Sequence, residues 1–144
     1  VFKENMNLFD EETQELIKRG DNPLEFNGLQ FTKTVEEYER RRNTLVKAMQ
    51  KIEGVRVTMP KGAFYFIADL PVDDAEKFAQ FMLNDFSYKG NTVMFAPAEG
   101  FYWTPGFGKS QARFAYVLNE DELKTAAECL KLGLKEYRKT VMHA

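Results

Sequence analysis

Between positions 34 and 52, apolar residues recur every three or four places. Val35, Tyr38, Leu45, Met49 and Ile52 share one face, and Glu36, Glu37, Glu39, Arg40 and Lys47 share the other. That period predicts a long amphipathic helix. A Thr34/Glu37 capping box opens it and Gly54 closes it. Positions 55–59 alternate and predict a strand, the turn Pro60-Lys61-Gly62 reverses the chain, and 63–69 predict a second strand paired to the first as a hairpin. Pro71 breaks that run, and Asp73 with Glu76 caps a second helix whose stripe is Ala75, Phe78, Ala79, Met82 and Phe86. Gly90-Asn91 ends this unit. Strands are predicted at 92–96 and 112–118, and Asn119 with Glu122 caps a last helix burying Leu123, Ala126, Ala127, Leu130, Leu134 and Tyr137. The order α-β-β-α-β-β-α predicts an α+β domain: a short, mostly antiparallel four-stranded sheet, helices packed on one face, the other face still to cover.

Residues 1–33 carry the weakest pattern. Asp10 is placed to cap a short helix through Glu15, Leu16 and Ile17, with Gly20 as its stop. Gly20-Asp21-Asn22-Pro23 reads as a turn. Leu24, Phe26, Leu29 and Phe31 then read as apolar anchors on an irregular stretch. The expected division is a connector over 1–33 and a folded domain over 34–144. The first residue is Val, not Met, which fits an excised piece of a longer protein, although a trimmed tag leaves the same beginning.

Composition narrows the partners. At 144 residues, 44% hydrophobic and 29% charged, the chain has the make-up of one ordinary soluble domain. The 14% aromatic share, mostly Phe, implies either an aromatic core or a surface meant to be covered. A net charge of -2 and a pI near 5.6 argue against a nucleic-acid partner. No apolar run approaches a membrane span and no signal-peptide pattern opens the chain, so no membrane partner and a cytoplasmic setting are expected. Cys129, the single cysteine, excludes an internal disulfide and reads as small filler inside a helix. The triplet Arg40-Arg41-Arg42 has acids interleaved around it and reads as a solvated helix face.

Candidate chemistry centres on one cation. Arg113 interrupts an apolar strand, and a guanidinium taken out of water needs an anion. That anion is a carboxylate of this chain or a carboxylate or phosphate of a ligand, since the planar fork suits either. The loop 97–110 is long for a compact domain, and long loops are often functional. Pro97, Gly100, Phe101, Tyr102 and Arg113 can together hold an anionic ligand. Gly108-Lys109-Ser110 resembles the end of a phosphate-binding loop, but Trp103 stands where its first glycine belongs and a strand follows where a helix is needed. Gly100, Gly106 and Gly108 are better explained by turn geometry. Lys61-Gly62-Ala63-Phe64-Tyr65-Phe66-Ile67-Ala68 is a loose match to an RNA-stacking strand, with Ala63 where an aromatic belongs. His143 has no partner, and no His, Cys or carboxylate cluster has metal-ligand spacing.

Several short segments, taken in order, carry a resemblance. They are Tyr38-Glu39-Arg40-Arg41-Arg42-Asn43, Pro60-Lys61-Gly62-Ala63-Phe64-Tyr65, Val93-Met94-Phe95-Ala96-Pro97, Gly100-Phe101 and Ala112-Arg113-Phe114-Ala115. From about Thr34 onward the chain resembles the C-terminal small domain of class I/II pyridoxal-phosphate aminotransferases of the aspartate aminotransferase type. The resemblance implies that Arg113 forks onto the α-carboxylate of an amino-acid substrate, and that Phe64 and Tyr65 line the pocket. It implies transfer of an amino group from an amino acid, aspartate-like by type, to a 2-oxo acid. It also implies pyridoxal phosphate bound by a large domain of the same chain, and a homodimeric parent. The family's Schiff-base lysine motif is not found here, and Lys61, Lys89 and Lys109 lack its context, so the chain alone is expected to be inactive. Ala98 replaces the glycine common after the family's proline, and Gly100 is expected to take up that turn.

Two other readings stay open at this point: a stand-alone α+β module binding a ligand or RNA, and a structural interaction domain docking through the aromatic loop. The state of Arg113 separates them. The aminotransferase reading expects it exposed near Phe64 or Tyr65 and beside Pro97, with an exposed apolar patch drawn from Leu24, Phe26, Leu29 and 101–103. Burial against an acid such as Asp69 favours a structural role.

Overall fold

The computed structural model describes Glu11, Gln14, Glu15 and residues 23–142, with side chains described for those three and for 34–141. The chain divides into two compact units, Val1–Glu37 and Tyr38–Ala144. In the first unit Glu11, Gln14 and Glu15 are helical, and helix α1 (Pro23–Gln50) begins. Proline suits a first helical position, because its missing N–H is one that the helix leaves unpaired anyway. No proline follows to stop the ladder, so α1 runs through Thr34 where a start was expected. The stretch after Pro23 is therefore helical rather than irregular. The side chains of Leu24, Phe26, Leu29 and Phe31 lie outside the described residues, as does the expected turn at 20–22.

In the second unit, the end of α1 is followed by β1 (Tyr65–Asp69), α2 (Ala75–Asn84), β2 (Ala96–Pro97), a 3-10 turn (Glu99–Phe101), β3 (Gln111–Ala115) and α3 (Glu120–Met142). The sheet is antiparallel, in the order β1-β3-β2. It has three strands among the described residues, not the expected four.

The missing strand has a physical cause. At 55–59 the ladder shrinks to one bridge, Arg56 with Asp69, closed by hydrogen bonds of 3.0 and 2.9 Å. Side chains of α1 take the next carbonyls: Gln50 Nε2 donates to Val57 at 3.1 Å and Arg42 Nη1 donates to Pro60 at 3.0 Å. Pro60 has no N–H to offer a ladder. The run at 92–96 pairs only over Ala96–Pro97, and the Thr92 hydroxyl ties its start to the helix by donating to the Met82 carbonyl at 2.5 Å. Pro97 is tolerated because β2 is an edge strand. The run at 112–118 leaves the ladder after Ala115, and the Val117 carbonyl accepts from Arg41 Nη1 at 2.8 Å.

The caps follow the same pattern of local rules overruled by distant partners. Asn119 and Glu122 form the expected box, with bonds of 2.9 and 3.3 Å. For α2 the cap is Asp74, whose carboxylate accepts from the N–H groups of Glu76 and Lys77. Asp73, the expected cap, instead accepts from the Tyr137 hydroxyl at 2.9 Å. Gly54 ends the α1 turn at φ +83°, and a Cβ there would lie 2.7 Å from Pro71.

Alternation along the strands splits the sheet into two faces. Phe66, Ala68, Ala112 and Phe114 point into the core with Leu45, Met49, Phe78, Met82, Leu123, Leu130 and Leu134. Rings follow one another through it: Phe114 to Phe95 at 5.2 Å, Phe95 to Phe78 at 5.4 Å and Phe78 to Tyr137 at 5.2 Å. Much of the aromatic content is therefore core. Cys129 is fully buried among these residues, and burial pushes its thiol pKa up, so it serves as filler. The opposite face presents Tyr65, Ile67, Arg113 and Ala115 to solvent.

Candidate anion-binding site on the open sheet face

Arg113 sits in the middle of β3, opposite Ile67 of β1 and Ala96 of β2. Its neighbours Ala112 and Phe114 are buried, so the pleat turns its side chain to the open face. Its guanidinium carbon lies 5.3 Å from the Tyr65 ring centroid and 4.9 Å from that of Phe101. Two cation–π contacts of this kind hold the guanidinium plane, each contributing about 0.5–1 kcal/mol when exposed. Phe64 meets Tyr65 edge to face at 5.5 Å. Pro97 pairs with Ala112, one residue from Arg113. Phe64, Tyr65, Pro97, Phe101 and Arg113 are thus brought to one region by β1, β3, β2 and the 3-10 turn, and Gly100 lies within that turn.

The aromatic loop is shaped by residues other than Gly100. Ala98 is fully buried at φ -96° and ψ -10°, and its N–H donates to the Gln111 carbonyl at 2.9 Å. Any L residue adopts that backbone, so the position needs no glycine. Gly100 is not at positive φ and a Cβ there would meet nothing, so it does not take up the turn. Gly106 and Gly108 do, at φ +79° and +73°. A Cβ on Gly108 would also fall 2.3 Å from the Tyr102 ring.

Tyr102 ties the loop to the sheet. Its hydroxyl donates to Gln111 Oε1 at 2.5 Å, and Gln111 Nε2 donates to Asp69 Oδ1 at 2.8 Å. Asp69 also lies 4.0 Å from Arg56. Its carboxylate is therefore engaged by Gln111 and Arg56, not by Arg113. Among the described residues no carboxylate and no hydrogen-bond acceptor partners the Arg113 guanidinium. Its fork is available to a carboxylate or phosphate from outside. Tyr102, expected among the ligand-holding residues, spends its hydroxyl on this support instead, and Gln111 was not singled out in the sequence. Strand alternation alone puts Gln111 on the Arg113 face, two positions away.

Elsewhere the described residues offer little chemistry. Among them no group of His, Cys, Asp and Glu could hold a metal ion, and no helix is long and apolar enough to cross a membrane. His143 lies outside them. A pyridoxal phosphate pocket needs a lysine for the imine and an acid at the pyridinium nitrogen. Lys109 is 3.9 Å from Asp74, Lys89 lies over the Tyr88 ring, and Lys61 belongs to an exposed turn. These residues do not make that pocket. Arg113 presents an exposed guanidinium on the open sheet face, and no reaction step is assigned to Lys61, Lys89 or Lys109.

Comparisons with known proteins agree on one family. The model described as aminotransferase class I and II matches residues 3–130. The chain is 32% identical over 99 residues to a probable aspartate/prephenate aminotransferase of Aquifex aeolicus (strain VF5), covering 69% of this chain and 24% of that protein. It is 33% identical over 100 residues to a glutamate-pyruvate aminotransferase of Escherichia coli (strain K12), covering 67% and 22%. The structure of an α-aminoadipate aminotransferase from Thermus thermophilus superposes with a TM-score of 0.65 at 23% identity, covering 85% of this chain and 29% of that one. That likeness speaks for the fold. An aromatic aminotransferase from Pyrococcus horikoshii gives a TM-score of 0.60 at 26% identity, covering 74% and 27%. The chain spans about a quarter of the length of the curated relatives it matches.

Proposed function

The chain belongs to the class I and II aminotransferases, and from that premise we propose that it is the C-terminal small domain of a pyridoxal-phosphate-dependent enzyme, with Arg113 as the seat of the substrate's α-carboxylate. One observation carries the reading. An exposed strand guanidinium lies against two rings with no acid partner among the described residues. Holding the carboxylate in a fixed plane orients the amino group, which is a proximity contribution to rate. The parent transfers an amino group between an amino acid, aspartate-like by the type it resembles, and a 2-oxo acid. The electron-sink chemistry belongs to the cofactor and to parts of the parent outside this chain. The isolated chain is then inactive, and the parent is a homodimer working in the cytoplasm.

The RNA-binding alternative fares less well. Of the run Phe64-Tyr65-Phe66, Phe66 turns into the core, so the open face of β1 presents one ring, Tyr65, beside Ile67. A short single-stranded RNA at low salt should show no saturable binding.

Titration of the chain with L-aspartate and with maleate, followed by two-dimensional NMR, tests the proposal. Saturable shifts centred on Tyr65, Phe101 and Arg113 are expected, and Arg113→Ala should abolish them. Arg113→Lys should retain little of the binding, because lysine lacks the planar fork. Shifts that persist in Arg113→Ala would overturn the assignment.

A further inference from the structure

A second concave surface, sharing no residue with the Arg113 site, is built from cations. A groove of about 650 Å³ lies between the end of α1 and the C-terminal half of α3. Lys51 borders it on one side, and Lys131, Lys135, Arg138 and Lys139 border it on the other. Ile52 and Leu134, 8% and 2% exposed, form an apolar floor. Among the described residues Glu53 is the only acid in the lining. The whole chain carries 20 Lys and Arg against 22 Asp and Glu, so five cations to one acid is a strong local departure.

Helix stability does not explain the cluster. Lys131, Lys135 and Arg138 stand four and three positions apart on one stripe of α3, where like charges repel. Cations in a last turn favour the helix dipole, which accounts for Lys139 and its neighbour Arg138. Lys131 and Lys135 lie further back, outside the reach of that effect. Lys131 has Glu128 at 3.4 Å, but Lys51, Lys135, Arg138 and Lys139 have no ion pair among the described residues. An apolar floor ringed by five cations, four of them without an ion pair among the described residues, at the size of a small-molecule site, complements one kind of ligand.

We propose that this groove binds a compact organic polyanion, bearing phosphate or carboxylate groups, with its carbon body on Ile52 and Leu134. The inference is independent of the role given to Arg113.

Isothermal titration of the 144-residue chain with inorganic tripolyphosphate and, separately, with citrate tests it. Titrations are repeated in an Arg113→Ala chain, so that a carboxylate bound to the open sheet is not counted. One saturable site is expected for at least one probe, weakening by about tenfold or more between low and high salt as the charges are screened. Binding of tripolyphosphate alone points to phosphate esters, and binding of citrate alone points to polycarboxylates. Lys135→Gln with Arg138→Gln should weaken binding about tenfold or more, since each removes a charge-assisted bond. Lys51→Gln should weaken it from the other wall. These side chains are exposed, so the circular dichroism of α3 should not change. Lys124→Gln, at a cation that pairs with Asp121 outside the groove, should bind as the unaltered chain does. No saturable binding of either probe, or full affinity in the double variant, would overturn the proposal.

Discussion

The two faces of one sheet are made by the same three strands and obey opposite rules. On the covered face, polar groups find partners inside the chain. Among the described residues no buried side-chain nitrogen or oxygen lacks a hydrogen bond. Tyr116 donates to the Ala63 carbonyl, and Tyr137 donates to Asp73 at 2.9 Å. On the open face, Asp69 and Gln111 are consumed by a relay that anchors a loop, while among the described residues Arg113 has rings and no anion. A face that serves only folding closes its own accounts. A face that leaves a guanidinium without an acid among the described residues is open to an outside anion, and that contrast, more than the cation itself, is the ground for the proposed site.

The largest test of this contrast sets Phe114→Ala against Arg113→Ala. The two residues are neighbours on β3, facing opposite ways. Removing the buried ring should cost about 3–5 kcal/mol of stability, with the urea midpoint as readout. Removing the guanidinium should cost within about 1 kcal/mol, while carboxylate binding is lost. Comparable destabilisation by both would mean that Arg113 holds the fold together and that the faces do not differ as argued.

A middle-sized effect tests whether the loop is held in place for the site. Gly108→Ala forces a Cβ onto a φ of +73° and into the Tyr102 ring. About 1–3 kcal/mol is expected from the strain, with Phe101 displaced from Arg113. Tyr102→Phe removes only the hydroxyl donated to Gln111 and should cost about 1 kcal/mol. If the relay positions Phe101, both variants should weaken carboxylate binding although neither residue touches the guanidinium. Unchanged binding in both would reduce the relay to loop stability.

What the amino-acid sequence disclosed follows the range of the forces involved. The Asn119/Glu122 box and the α3 stripe depend on residues within a turn or two, and they were legible. Arg113 was legible because a lone guanidinium in an apolar strand is a local anomaly. The fourth strand was not. Alternation at 55–59 is a true strand signal, overruled when Gln50 and Arg42 of α1 take the carbonyls of Val57 and Pro60. Asp73 and Asp74 are equal candidates for a cap, and the choice is made by Tyr137, 64 positions along the chain. The Tyr102–Gln111–Asp69 relay spans 42 positions at its longest bond and has no local signature beyond alternation.

The smallest effect concerns the covered side, where Tyr137 and Asp73 show what an internally paired polar group does with pH. Burial, and then the hydrogen bond and charge of Asp73, push the Tyr137 pKa up to about 12. The fold therefore favours the neutral phenol. Its contribution is complete below the ordinary value of 10.0 and is lost as pH rises toward about 12. The same hydroxyl is the main cause holding Asp73 below its ordinary 3.8. That contribution is complete above 3.8 and is lost as acid takes the pH down through the lowered value. Tyr137→Phe removes the shared bond while keeping the ring against Phe78 and Phe81, and leaves an exposed carboxylate that water can solvate. The cost near neutrality should be about 1 kcal/mol or less. The difference in urea midpoint between the two chains should be flat from pH 5 to about 9 and narrow at both extremes. Arg113→Ala, measured in the same way, should leave both the alkaline and the acid limbs where they were, because among the described residues no carboxylate pairs with it.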